Sequence, residues 1–208
     1  MKASVLAFAI LAFALPASGL HSSGAWGASG PSFDCAKAAS GAEELVCTDP
    51  SLAALDRELA DAYKQALAAA AAGADKATAL PLLRATQRGW IKGRDDCWKA
   101  ADGLKPCVEQ AYRDRIADLQ AQWMLVPGGE PHFYRCDDNS EIVATFMQTD
   151  PSTARLERGD TTKIVLQGRS GSGARYLGDF GTEFWIKGRE ARVVWDRSQP
   201  PFTCRTRE

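Results

Sequence analysis

The apolar residues of this 208-residue chain change period at one place, and that place divides what the chain can fold into. Up to Leu125 they recur at three- and four-residue steps; from about Phe133 they alternate one in, one out. Helices bury one stripe at period 3.6 and half-buried strands one face at period 2, so the first part must be helical and the second β. The junction, Val126-Pro-Gly-Gly-Glu-Pro131, carries two prolines and two glycines and reads as a linker at 126–131. The expected fold class is multidomain α + β, with a disulfide-bonded helical bundle over 32–125 followed by a small eight-stranded antiparallel β-barrel over 132–208.

In the helical part, Thr48 or Asp49 can cap a helix with Pro50 at its first position. Leu52, Leu55, Leu59, Tyr63 and Ala66 then share a face, and Gly73 ends the helix. A second long helix is expected over about 79–97, carrying Leu83, Gln87, Trp90 and Arg94, and a third over about 105–124, with Val108, Tyr112, Ile116, Leu119 and Trp123 on one side. A shorter one around 36–46 precedes them. Beyond the linker, segments 133–136, 141–146, 154–157, 162–166, 174–176, 183–187, 191–195 and 202–204 read as strands separated by turn residues. So many short strands point to closure, which removes exposed sheet edges.

The N-terminus has the pattern of a secretory signal at 1–19: Lys2, the apolar run Val5 to Leu15, then Pro16 and small residues up to Gly19. The run is too short for a permanent bilayer span. No cysteine follows it to carry a lipid, so a periplasmic or secreted protein is expected, with a flexible Gly/Ser tail over 20–31. The six cysteines, Cys35, Cys47, Cys97, Cys107, Cys136 and Cys204, all lie in the exported part and favour three disulfides over thiol chemistry. Six cysteines allow about fifteen connectivities. Domain organisation narrows these to Cys136 with Cys204, Cys35 with Cys47 and Cys97 with Cys107.

The usual catalytic constellations do not emerge, and an enzyme is not expected. His21 and His132 have no spacing suited to a metal or a nucleophile. The glycines of Gly171-Ser-Gly173 lie between strands rather than at a strand-to-helix turn, so no nucleotide or other cofactor is expected. The neighbouring carboxylates Asp95-Asp96 and Asp137-Asp138 point to different faces of their elements and read as solvated. With 25 Lys and Arg against 26 Asp and Glu the chain is no nucleic-acid binder, and no basic run marks a membrane patch.

What remains are two loops. Ser170-Gly-Ser-Gly-Ala-Arg-Tyr176 and the turn after Phe184-Trp-Ile-Lys187-Gly188 would set a hydroxyl and an ammonium side by side at one end of the sheet. Together with Tyr134-x-Cys136 and Cys204, these segments resemble the MliC/PliC family of bacterial C-type lysozyme inhibitors, over nearly all of 132–205. The resemblance implies an eight-stranded barrel closed by a disulfide. It also implies that a serine and a lysine contact the two catalytic carboxylates of lysozyme. Those positions fall on Ser172, with Ser170 the alternative, and Lys187; Leu177 to Thr182 is one residue longer than the family pattern. The amides of Gly173 and Gly188 are expected to assist and Arg175 to touch the rim. Tyr176 is counted with the binding residues, although its ring reads as core or loop support.

Phe33-Asp-Cys35, Glu44-x-x-Cys47, Leu52-x-x-Leu-Asp56, Tyr63, Gln87-x-x-Trp90, Arg94-Asp95, Cys97 and Tyr112-x-x-Arg-Ile116 resemble the LprI-type N-terminal domain of exported bacterial proteins. That resemblance identifies no site. Gln87, Arg94 and Asp95 read as one structural polar cluster. The expectation is an inhibitor of C-type lysozyme from a Gram-negative envelope. The alternative is an envelope module that binds peptidoglycan or another glycan without inhibiting. From residue 132 onward there are twelve Lys and Arg against eleven Asp and Glu, and over 31–131 twelve against fifteen. Steering of a cationic partner would be weak, so affinity must come from loop insertion.

Overall fold

The computed structural model describes residues 30–207, and the expected leader at 1–19, with nearly all of the tail at 20–31, lies outside them. Four helices, α1 (Gly41–Thr48), α2 (Pro50–Ala72), α3 (Lys76–Asp95) and α4 (Leu104–Gln122), precede eight strands. The strands are β1 (His132–Cys136), β2 (Glu141–Met147), β3 (Thr153–Arg158), β4 (Thr161–Gly168), β5 (Ala174–Gly178), β6 (Glu183–Lys187), β7 (Glu190–Val194) and β8 (Phe202–Thr206).

Local chemistry fixes the helix ends. The Asp49 carboxylate accepts the amides of Ser51 and Leu52 at 2.9 and 3.2 Å, Pro50 fills the first helical position, and Gly73 closes α2. The expected helix at 36–46 divides into a single 3-10 turn at Cys35–Lys37 and the separate helix α1. The break is set by Ser40, whose hydroxyl accepts the Glu43 amide at 3.2 Å while the Glu43 carboxylate accepts the Ala39 amide at 2.8 Å, a variant of the capping box. α3 begins at Lys76, three residues before the expected start, and carries Pro81 inside it. Leu52, Leu59, Leu83, Val108, Tyr112, Ile116 and Leu119 bury together as the helical core.

Each strand pairs antiparallel with the next and β8 closes on β1, so the sheet is a closed barrel. Alternate residues fill it: Tyr134, Ile142, Leu156, Val165, Tyr176, Phe184 and Val193 occupy the interior, with Tyr134 edge-on to Phe184 at 5.2 Å. The barrel is packed rather than hollow, so its binding surfaces are its rims and outer wall. Disulfides join Cys35 to Cys47, Cys97 to Cys107 and Cys136 to Cys204. The last ties β1 to β8 across a separation of 68 residues, worth about 4 kcal/mol on the chain-entropy account.

Up-and-down order puts the β2–β3, β4–β5 and β6–β7 connections at the end of the barrel where β1 begins and β8 finishes. The helical part reaches the barrel through α4: Arg113 pairs with Asp150 at 2.6 Å, and Arg155 donates to the Gln122 carbonyl at 3.3 Å. The connecting segment bonds to β2 through the Gly129 amide and the Phe146 carbonyl at 2.9 Å. Among the described residues no helix is long and apolar enough to cross a membrane.

Candidate functional site: two loops at one rim

β6 builds half of the site. Its alternation turns Phe184 fully inward and leaves Glu183, Trp185 and Lys187 on the outer wall. Lys187 is the last residue of the strand, paired with Glu190 across the two-residue turn Gly188-Arg189, where Gly188 has φ +58°. The other half is the β4–β5 loop, 169–173. Ala174 pairs with Ile186, so Gly173 sits opposite Lys187. Gly173 has φ +70°, and a Cβ added there would lie 2.1 Å from the Ile186 carbonyl oxygen and 3.1 Å from Lys187 Cγ. The loop therefore lies flush on the end of β6, an approach that only glycine permits.

The two serines divide their work. Ser170 Oγ donates to the Ser172 carbonyl at 2.7 Å and accepts the Ser172 amide at 3.3 Å, bracing the loop from within. Ser172 is exposed, and among the described residues its hydroxyl has no hydrogen-bond partner. Trp185, which was not among the expected site residues, links the loop to the lysine: its indole Nε1 donates to the Ser172 carbonyl at 2.9 Å, and the Lys187 ammonium lies 3.8 Å from the ring centroid. Such a cation–π contact contributes about 0.5–1 kcal/mol at an exposed site. The signal was present in the sequence, because residues two apart on a strand share a face.

The outer wall around Trp185 is charge-paired. Glu183, 9% exposed, accepts from both Arg175 and Arg192, the residues flanking Trp185 on β5 and β7, and Arg205 pairs with Glu190 at 2.7 Å. Lys187 has no carboxylate partner among the described residues. Its contact among the described residues is the aromatic face of Trp185.

Several sequence assignments resolve differently. Tyr176, counted among the binding residues, is 6% exposed and packs against Phe146, because β5 turns positions 174 and 176 inward; its place is the core under the loop. Arg175 is half-exposed but held by Glu183. Gly188 is exposed at the turn. The polar cluster expected from Gln87, Arg94 and Asp95 is in fact two. Arg94, 4% exposed, binds Asp95, Glu43 and the Tyr112 hydroxyl, which in turn donates to the buried Asp56 at 2.9 Å. Burial pushes the Tyr112 hydroxyl well above its usual pKa. Gln87 instead receives Arg115, which also pairs with Asp118 at 2.6 Å. Asp95, expected to be solvated, is half-buried between Arg94 and Ser40. Both networks tie helices together.

A disulfide-bonded helical module joined to a packed barrel whose rim displays a serine–glycine loop beside a lysine turn defines a class, the two-module proteins of lysozyme-inhibitor type. Residues 35–124 match the family described as lysozyme inhibitor LprI, and residues 134–201 the one described as membrane-bound lysozyme-inhibitor of c-type lysozyme, MliC. The chain is similar to the proteins named Lipoprotein LprI of Mycobacterium bovis and of two Mycobacterium tuberculosis strains. Identity to each is 36% over 180 residues, covering 86% of this chain and 85% of the relative. The chain belongs to the LprI family, with an MliC-type barrel as its C-terminal part.

Proposed function

We propose that this protein inhibits C-type lysozyme by inserting the Ser172 loop and the Lys187 turn into the active-site cleft. The observation that carries the reading is the pairing at one rim of a hydroxyl and an ammonium that, among the described residues, lack a hydrogen-bond partner and a carboxylate respectively, held together through Trp185. Glycoside hydrolysis of this kind uses one protonated and one ionised carboxyl group close together. An ammonium between them pairs with the ionised group, and a hydroxyl donates to or accepts from either form. Buried charge pairs add affinity only when further hydrogen bonds offset desolvation, a role for the backbone amides of Gly173 and Gly188. Ser172 takes the inserted position and Ser170 the brace, since the Ser170 hydroxyl is already committed inside the loop.

On this reading the protein has no turnover of its own, needs no cofactor, and acts after export, as a periplasmic or secreted protein with lysozyme as its partner. The relatives are mycobacterial lipoproteins by name, so they lend no support to a Gram-negative source. The rival reading, a peptidoglycan-binding module, requires an open aromatic platform. Lys187 covers the Trp185 ring and Trp195 is 7% exposed, which weighs against these two rings as the platform.

The test is a bacterial lysis assay with purified protein titrated against C-type lysozyme. Ser172→Ala and Lys187→Ala are each expected to weaken inhibition by about 1–3 kcal/mol, the range of an interface hot spot, with the fold intact. Full potency in both variants would sink the mechanism.

A further inference from the structure

We propose that Trp185 is a positioning residue that locks the two inhibitory tips into a single rigid element before any partner arrives. The inference rests on the function proposed above and adds to it the group that sets the geometry. One side chain makes both connections: the indole N–H holds the Ser172 carbonyl at 2.9 Å, and the ring face carries the Lys187 ammonium at 3.8 Å. Neither contact exists through the backbone alone. Ser172 belongs to the β4–β5 loop and Lys187 to the β6–β7 hairpin, and the strand pairing that brings these tips together ends at Ala174 and Ile186.

Trp185 is itself fixed. Its neighbours across the sheet, Arg175 and Arg192, are both drawn onto Glu183, so a charge-paired frame surrounds the indole on β5, β6 and β7. Lys187 lies over the ring within this frame. A lysine otherwise loses several rotatable bonds' worth of freedom when it inserts into a cleft; one already parked on an aromatic face has lost part of that freedom in the free protein. The indole bond does the same for the loop, whose tip also approaches β6 closely at Gly173.

Two substitutions separate the connections. Trp185→Phe keeps an aromatic face under Lys187 and removes the indole donor; Trp185→Leu removes both. In the lysis assay Trp185→Leu is expected to weaken inhibition about tenfold or more and Trp185→Phe by less, with melting temperatures near that of the wild type because the indole is on the outer wall. In a Ser172→Ala background the effect of Trp185→Phe is expected to vanish, since the loop no longer presents the group being positioned; an equal loss in both backgrounds would show a merely structural role and overturn the proposal. A second readout is independent of lysozyme. The Lys187 side-chain Hε resonances are expected to be ring-current shifted upfield in the wild type and in Trp185→Phe, and to return to ordinary lysine positions in Trp185→Leu. Unshifted Lys187 resonances in the wild-type protein would overturn the proposal whether or not the protein inhibits. Potent inhibition lost in Lys187→Ala but untouched in Trp185→Leu would overturn it while leaving the proposed function standing.

Discussion

Replacing Gly173 by alanine puts the geometry of the rim to a quantitative test. The added methyl would lie 2.1 Å from the Ile186 carbonyl oxygen, a backbone atom that no rotamer change can move, and 3.1 Å from Lys187 Cγ. The backbone also holds φ +70°, where a non-glycine residue costs about 1–2 kcal/mol. Backing the loop away from β6 relieves the contact but stretches the Trp185–Ser172 hydrogen bond, whose net worth is about 0.5–1.5 kcal/mol. The local cost is therefore about 1.5–3.5 kcal/mol, the sum of those two terms. Only part of it registers globally, because the loop is exposed and can separate from the wall while the barrel stays closed. The expected outcome is a fall in melting temperature of a few degrees and a loss of inhibition of about tenfold or more, taking about 1.4 kcal/mol per decade. Gly171→Ala is the control. It lies in the same loop, has open space around it and does not have a positive φ, so it is expected to melt and inhibit like the wild type. Wild-type inhibition by Gly173→Ala, or equal losses in both variants, would refute the claim that loop placement against β6 governs potency.

Tyr112→Phe leaves Asp56 and Arg94 each short of a partner in a buried network; the helical part is expected to lose about 1–3 kcal/mol of stability by chemical denaturation, with inhibition by the barrel unchanged. The Asp49 carboxyl, held below the usual carboxylate range first by its hydrogen bond from Lys105 and then by Ser51 and the Leu52 amide, stabilises the fold while it is ionised. Its contribution is fully present above the unfolded value of about pH 4 and is lost as pH falls through the lower folded value. A carboxyl titration by NMR should show Asp49 still ionised where exposed carboxylates have protonated, and Asp49→Ala should flatten the acid limb of the stability curve; a normal Asp49 titration would contradict this.

The sequence made the large features legible because they follow from period and punctuation. Asp49-Pro50 and Gly73 bound α2 by capping chemistry that acts within a few residues, and eight alternating segments imply eight strands whatever their neighbours. Ser40-x-x-Glu43 was an equally local signal, and the start of α1 could have been read from it. What local pattern cannot give is which polar side chains meet across helices. Gln87 and Arg94 are seven residues apart on α3, but one faces Arg115 and the other Tyr112 on α4, a choice made by helix packing. The site shows the same division: Ser172 and Lys187 are legible from the two loop motifs and the family resemblance they carry, and Trp185 shares a strand face with Lys187, whereas the indole bond to the Ser172 carbonyl and the close seat of Gly173 depend on the register of β5 against β6.

The most direct measurement of the central claim is calorimetric titration of the protein into C-type lysozyme with and without a saturating N-acetylglucosamine trisaccharide in the lysozyme cleft. If the two tips enter that cleft, the saccharide must be displaced, and the apparent affinity falls in proportion to its occupancy. Binding of undiminished affinity to saccharide-filled lysozyme would place the contact elsewhere and contradict the account.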